Sequence, residues 1–548
     1  MRGWTYLLVI PVVAVLGTAS GQQAFLQHAA SGLKPAQRAS DKANSTGNLI
    51  FWSVSSLLQH WPNTRYINGH TITAATVPPG TILYHGRSNN DRPMTLDWLA
   101  TDPEHSFVFC WGKCYLYTYV TTRPLRLAYF DGSSASKVMS SGVMDTQDIV
   151  IWGKVRSDMA RNERVRIQEL CKWGEQYKLD GFVRMEMDFE IMICDFDAGM
   201  KLISESKVIP HITTEGRFYS DFINLSHRAL LPRPPPHRPA PELPPGWRGS
   251  ARSEMSTAFE VLNAGMWHNR PPGETRIKID YSRILSFFDP ALSSLVRARA
   301  GKSKEEFRLD EISEADSKYT RDKLDDIFTR DGQGSGIDWG SITQVVVDRY
   351  GKRLELLQHI LQNPESNRNV TEQVAEARSQ VLIMLTPYML VSAIPPNLTG
   401  PVNRSWIDPV VKHCASTHIA WTPETLLTPQ EKSIKAAVEE VLSQICGVLG
   451  DIWVDAFDSE NSNVKELERF LTKWQLDITQ LMDWLDWSVW LKCKPACGPE
   501  EICYIPTWPW GYRFGRNEVG KVDMTPRCVE AVVPYSFLQP SRPGPHSS

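Results

Sequence analysis

Between Leu231 and Trp247 the chain reads LPRPPPHRPAPELPPGW, eight prolines in seventeen residues. Proline fixes φ and removes a backbone donor, so this stretch excludes helix and central strand and favours an extended polyproline arrangement. It divides the sequence into two parts with different periodicity. The reading that follows is a stiff linker over 231–249, an α+β domain over 49–230 and a helical domain over 250–491.

Before the linker, strand-like and helix-like pieces alternate. TILYHG, CYLYTYVTT and LRLAYFDG read as strands, the last closed by an Asp-Gly turn. DPEHSFVFCW reads as a short helix opened by Asp102 and Pro103, and RNERVRIQELCKWGEQY as an amphipathic one. DGFVRMEMDFEIMICDF, from Asp180 to Phe196, is the strongest strand pattern. After the linker the period becomes helical. Thr428, Pro429 and Glu431 form a capping box, and Leu467, Phe470, Leu471, Trp474, Ile478 and Leu481 share one helix face.

The N-terminus, MRGWTYLLVIPVVAVLGTASGQQ, has a basic start, an apolar Leu7–Leu16 stretch and small residues after it. That pattern predicts a signal peptide over 1–21 and secretion, and its apolar run is too short to span a bilayer. A polar, flexible segment follows over 22–48. Five N-x-S/T sequons, at Asn44, Asn224, Asn369, Asn397 and Asn403, and an even count of ten cysteines agree with export. Four of those cysteines, Cys493, Cys497, Cys503 and Cys528, fall in a Pro/Gly/Trp-rich stretch over 492–533, which predicts two disulfides stapling a small module. Their pairing stays open. Cys171 with Cys194 and Cys414 with Cys446 are further plausible pairs, and Cys110 and Cys114 either bridge or stay free. Zinc-ribbon spacing is absent, so no metal is expected. The tail over 534–548 reads as disordered. A net charge of −3 without a basic stripe excludes nucleic acid as the expected partner. An extracellular protein or a cell-wall glycan remains the expected kind of partner. Trp484, Trp487 and Trp490 recur every three residues, which is read as packing of the Cys-rich module more than as a sugar-stacking platform.

Candidate chemistry centres on Asp180–Phe196. Taken as one strand, it places Val183, Met185, Met187, Phe189, Ile191 and Ile193 on a core face and Arg184, Glu186, Asp188 and Glu190 on the other. Carboxylates two residues apart on a strand face stand roughly 7 Å from one another. Such a row is either a solvated face or an acidic catalytic row, and a carboxylate-dependent glycoside hydrolase is one reading of it. Glu190 lies where apolar density is highest.

The order of TILYHG with its His85-Gly86, then DWLATDPEHSFVFC, then strands ending in FEIMICDFDAGMKLIS resembles the ADP-ribosyltransferase fold of the diphtheria-toxin and poly-ADP-ribose-polymerase type. The resemblance implies a split sheet over at most Val77–Ser204 and an activity, retained or vestigial, on NAD as substrate, by glycohydrolysis or by transfer. It implies that His85 and Gly86 hold the dinucleotide, with Gly86 allowing close backbone approach. Glu190 would be the catalytic carboxylate. The family's tyrosine position falls on Trp98, which would enclose the nicotinamide, and Arg87 stands where the family has a small hydroxyl residue. PPGTILYHGR, DPEHSFVFC, PLRLAYFDG, VLIMLTPYML and CGPEEICYIPTWPW also resemble an uncharacterised family of secreted filamentous-fungal proteins, which implies export and this domain order but no chemistry. A non-catalytic secreted or wall-associated binding protein is the alternative.

Overall fold

A computed structural model describes residues 45–110, 114–138, 141–160, 162–208, 260–330, 332, 334–362, 369–393, 404–458, 462–507 and 523–531. The predicted signal peptide over 1–21, nearly all of the predicted flexible segment over 22–48, the predicted linker, Trp508, Trp510 and the predicted tail lie outside them. Described helices are α1 (Gly47–Ser56), α2 (His60–Arg65), α3 (Pro103–Phe107), α4 (Asp145–Trp152), α5 (Glu163–Glu175), α6 (Ser293–Arg299), α7 (Glu314–Thr329), α8 (Trp339–Gln362), α9 (Val370–Leu385), α10 (Asp408–Ser416), α11 (Pro429–Asp458) and α12 (Val464–Leu485). Nine strands form one sheet: β1 (Thr71–Val77), β2 (Ile82–Arg87), β3 (Thr95–Ala100), β4 (Cys114–Thr121), β5 (Leu125–Phe130), β6 (Gly181–Met185), β7 (Phe189–Asp195), β8 (Met200–Val208) and β9 (Lys278–Ser286), in the order β8-β4-β2-β3-β7-β6-β5-β1-β9. Among these nine strands only β5 and β6 pair in parallel, because α4 and α5 carry the chain across between them. The mixed α/β region, the more helical part after it and the disulfide-rich end are therefore as the composition of each segment predicts.

Two helical layers cover the sheet. Leu83, Leu99, Tyr129, Val183 and Ile191 meet the interior of α8, α9, α11 and α12 on one face. On the other, Ile72, Phe130, Phe182 and Met192 meet α4, α5 and α7. The stretch after the linker is not all helical, since β9 adds a strand to the sheet edge beside β1. Its Lys-Ile-Asp-Tyr-Ser-Arg-Ile-Leu-Ser alternates only in part, so a helical period around it hides it.

The capping readings hold at α11, where Thr428 and Glu431 exchange backbone bonds of 2.9 and 3.2 Å. At α8 the cap is Asp338, whose Oδ1 accepts from Ser341 N at 2.9 Å. Trp484, Trp487 and Trp490, whose three-residue spacing predicts a shared helix face, do not share one. α12 ends at Leu485, Asp486 turns left-handed, and Trp487 is then buried between Phe51 and Trp490 at 5.8 and 5.6 Å.

The largest departure is at Asp180–Phe196. It is a hairpin, β6 and β7 joined through Glu186, Met187 and Asp188, with Arg184 opposite Glu190 and Met185 opposite Phe189. Cross-strand partners point to the same face. A turn centred on Met187 keeps even-numbered residues together, so a hairpin and a single long strand leave the same alternation in the sequence.

Five disulfides form: Cys110–Cys114, Cys171–Cys194, Cys414–Cys446, Cys493–Cys503 and Cys497–Cys528. Cys171–Cys194 ties α5 to β7 across 23 residues of chain. Replacing both cysteines by serine is expected to lower unfolding free energy by about 3 kcal/mol, from loop-closure entropy. Urea denaturation of the two proteins checks it.

Candidate functional site

A cleft of about 610 Å³ opens where β3, the β6–β7 hairpin and the start of α5 meet. Trp98 on β3 forms part of one wall, and Lys137, Glu163, Arg184, Glu186 and Glu190 bring charge to it. Burial differs sharply among these groups. Arg184 and Glu190 are almost fully enclosed, and Trp98 is half-buried.

Arg184 organises the charged side. Its Nε and one terminal nitrogen donate to Glu190 Oε1 at 3.1 and 2.6 Å, and the same terminal nitrogen donates to Glu163 Oε1 at 2.6 Å. The other terminal nitrogen reaches Gln147 Oε1 at 3.3 Å. These charge-assisted bonds fasten the hairpin to α5. Burial opposes the charge on Glu163, but Arg184 and Lys137 outweigh it and hold that carboxyl below the usual range. Glu186 goes the other way. Burial pushes it up to about 7, Lys137 at 3.5 Å offsets part of the rise, and the charges of Glu190 and Glu163 add to it. Two carboxyl groups of one cleft thus differ in proton affinity, the condition for dividing acid and base roles. The unfolded chain binds that proton less tightly. The stability linked to Glu186 is therefore full below its ordinary value of 4.5 and lost as the pH rises through about 7.

The structure brings Trp98 and Glu190 to the cleft but not the other two predicted residues. His85 is buried behind Trp98 with ring centroids 5.0 Å apart. Its Nδ1 donates to the Trp98 carbonyl at 2.7 Å and its Nε2 lies 3.7 Å from Asp97. Burial lowers its proton affinity, and Asp97 opposes that. Gly86 is needed for packing. A Cβ there would stand 2.2 Å from the Ser106 carbonyl oxygen in α3.

A second polar cluster lies among the described residues. Donor atoms of Asp102, His268 and Glu274 all lie within 4.8 Å of one another. Cys493, Cys497 and Cys528 also come together at metal-ligand spacing, although each sulfur is already bonded in a disulfide. The expectation of NAD as substrate with no metal is corrected here. Metal-compatible donors are present, and the residues assigned to hold a dinucleotide are sealed into the sheet. Sequence reading missed Lys137, Glu163 and His268. Each lies in a different segment of the chain, so no local pattern joins it to the others.

The arrangement is that of a mixed α/β, disulfide-bonded protein with a polar cleft on its sheet. Residues 111–214 match the family model described as the YPL277C N-terminal domain, a span that holds Lys137, Glu163, Glu186 and Glu190. The uncharacterised protein YOR389W of Saccharomyces cerevisiae is 24% identical over 552 aligned residues, covering 85% of this chain and 82% of its own length. YPL277C of the same yeast is 28% identical over 317 residues, covering 45% of this chain and 62% of its own. The chain is similar to both. No solved structure matches it. No described helix is long and apolar enough to cross a membrane.

Replacing Gly86 by alanine is expected to destabilise the fold by at least 1–3 kcal/mol, as overpacking against a fixed backbone does. Chemical denaturation measures it.

Proposed function

We propose that the protein is exported and that this cleft cleaves a glycosidic bond by carboxylate chemistry. The observation that carries the reading is the meeting of Trp98 with Glu163, Glu186 and Glu190 along one open cleft. An indole face suits the apolar side of a sugar ring. Glu186, part-protonated near neutrality, gives its proton to the leaving-group atom as the bond from the anomeric carbon breaks. Glu190 faces the cationic carbon, and both bonds from Arg184 land on Oε1. Water then adds to that carbon and returns a proton to Glu186. The five disulfides support export to an oxidising compartment.

The fold reading that accompanies this is an ADP-ribosyltransferase-like sheet. Its support is strand adjacency: β2 with His85 lies next to β3 with Trp98, which lies next to β7, opened by Glu190. In this chain His85 and Gly86 serve packing, so the substrate is assigned to the Trp98 side of the sheet.

The test measures reducing ends released from β-glucan, mannan and chitin oligosaccharides, and free base released from nucleosides. Wild-type turnover on one class is expected, falling as the pH rises above about 7. Glu186→Gln should lose at least a hundredfold, in the range a general acid contributes. No release by the wild type from any of these, or full activity in Glu186→Gln, contradicts the reading.

A further inference from the structure

The β3–α3 corner, the hairpin turn and the approach to β9 supply a polar cluster of Asp102, Asp188, His268 and Glu274. His268 is fully buried, and neither ring nitrogen has a hydrogen-bond partner among the described residues. An unsatisfied buried imidazole is costly, and such groups call for an explanation. Its Nε2 lies 4.0 Å from Glu274 Oε2, also fully buried. Two donors of one tetrahedral ion, at about 2.0 Å from it, stand about 3.3 Å apart, so His268 and Glu274 share an ion once they close by less than about 1 Å. Asp102 completes the triad from the rim, with 17% of its side chain exposed.

Two further observations point the same way. Asp188 Oδ1 lies 3.2 Å from His268 Nε2, and its Oδ2 has no partner among the described residues. Gly265 keeps this corner open, because a Cβ there would stand 3.0 Å from Asp188 Oδ2 and 3.1 Å from His268 Nε2. Arg276 orients the two carboxylates, donating to Asp102 Oδ1 and Oδ2 at 3.0 and 2.8 Å and to Glu274 Oε1 and Oε2 at 2.8 and 2.5 Å. A carboxylate oxygen has a second lone pair, so these bonds leave capacity for an ion.

We propose that Asp102, His268 and Glu274 bind one divalent first-row cation, of the zinc or manganese kind. One imidazole with two carboxylates is a borderline donor set that suits these ions better than a soft one. The guanidinium of Arg276 repels a dication, so binding is expected in the micromolar range. This inference is independent of the chemistry assigned to the cleft.

The full chain, freed of metal by a chelator and dialysed, is titrated with Zn²⁺ alone and with Mn²⁺ alone by calorimetry, and the bound ion is counted by elemental analysis. One ion per chain is expected. Affinity should fall at least tenfold in Asp102→Asn and in His268→Gln, and should be unchanged in Asp322→Asn, an exposed carboxylate on α7. If His268→Gln fails to fold, Asp102→Asn decides, since its side chain sits at the rim. Failure of both ions to bind, or binding unaltered in Asp102→Asn, overturns the proposal.

Discussion

Arg184 is a guanidinium with almost no contact with water, and the site depends on how it is neutralised. A buried charge is tolerated only when paired and hydrogen-bonded, and removing one partner of such a pair costs about 3–5 kcal/mol. Here the partners are Glu190, its cross-strand neighbour, and Glu163, from the first turn of α5. The pairing fixes the hairpin against the helix layer. It also sets the electrostatics of the cleft, since Arg184 and Lys137 favour a charged Glu163 while burial and neighbouring carboxylates favour a protonated Glu186.

The sheet explains why the His-Gly pair is quiet. β2 is held between β4 and β3, and α3 lies so close over Gly86 that a side chain would strike its backbone. His85 spends its Nδ1 on the Trp98 carbonyl. That bond fixes the backbone of the residue whose ring lines the cleft. A motif that looks like a ligand clamp thus works as a brace one layer behind the site.

Much of the architecture was legible because it is local. Alternation marked β4 and β5, the Thr428–Glu431 box marked α11, and Cys171–Cys194 and Cys414–Cys446 bridge as paired in the sequence. What stayed hidden is non-local or degenerate. The hairpin at Glu186–Asp188 has the parity of an unbroken strand, and β9 takes its identity from pairing with β1 across the proline-rich segment. Glu190 was legible from its apolar surroundings. Glu163, Lys137, Asp102, His268 and Glu274 become neighbours only through folding, and no spacing in the chain announces it.

The most direct test is a ¹³C NMR titration of the glutamate side-chain carboxyl carbons, with Glu186 assigned by the resonance lost in Glu186→Gln. A Glu186 signal titrating near pH 7, with Glu163 staying ionised to lower pH than a free glutamate, is the expected result. Glu186 titrating at its ordinary value of 4.5 would contradict a divided acid and base role in this cleft.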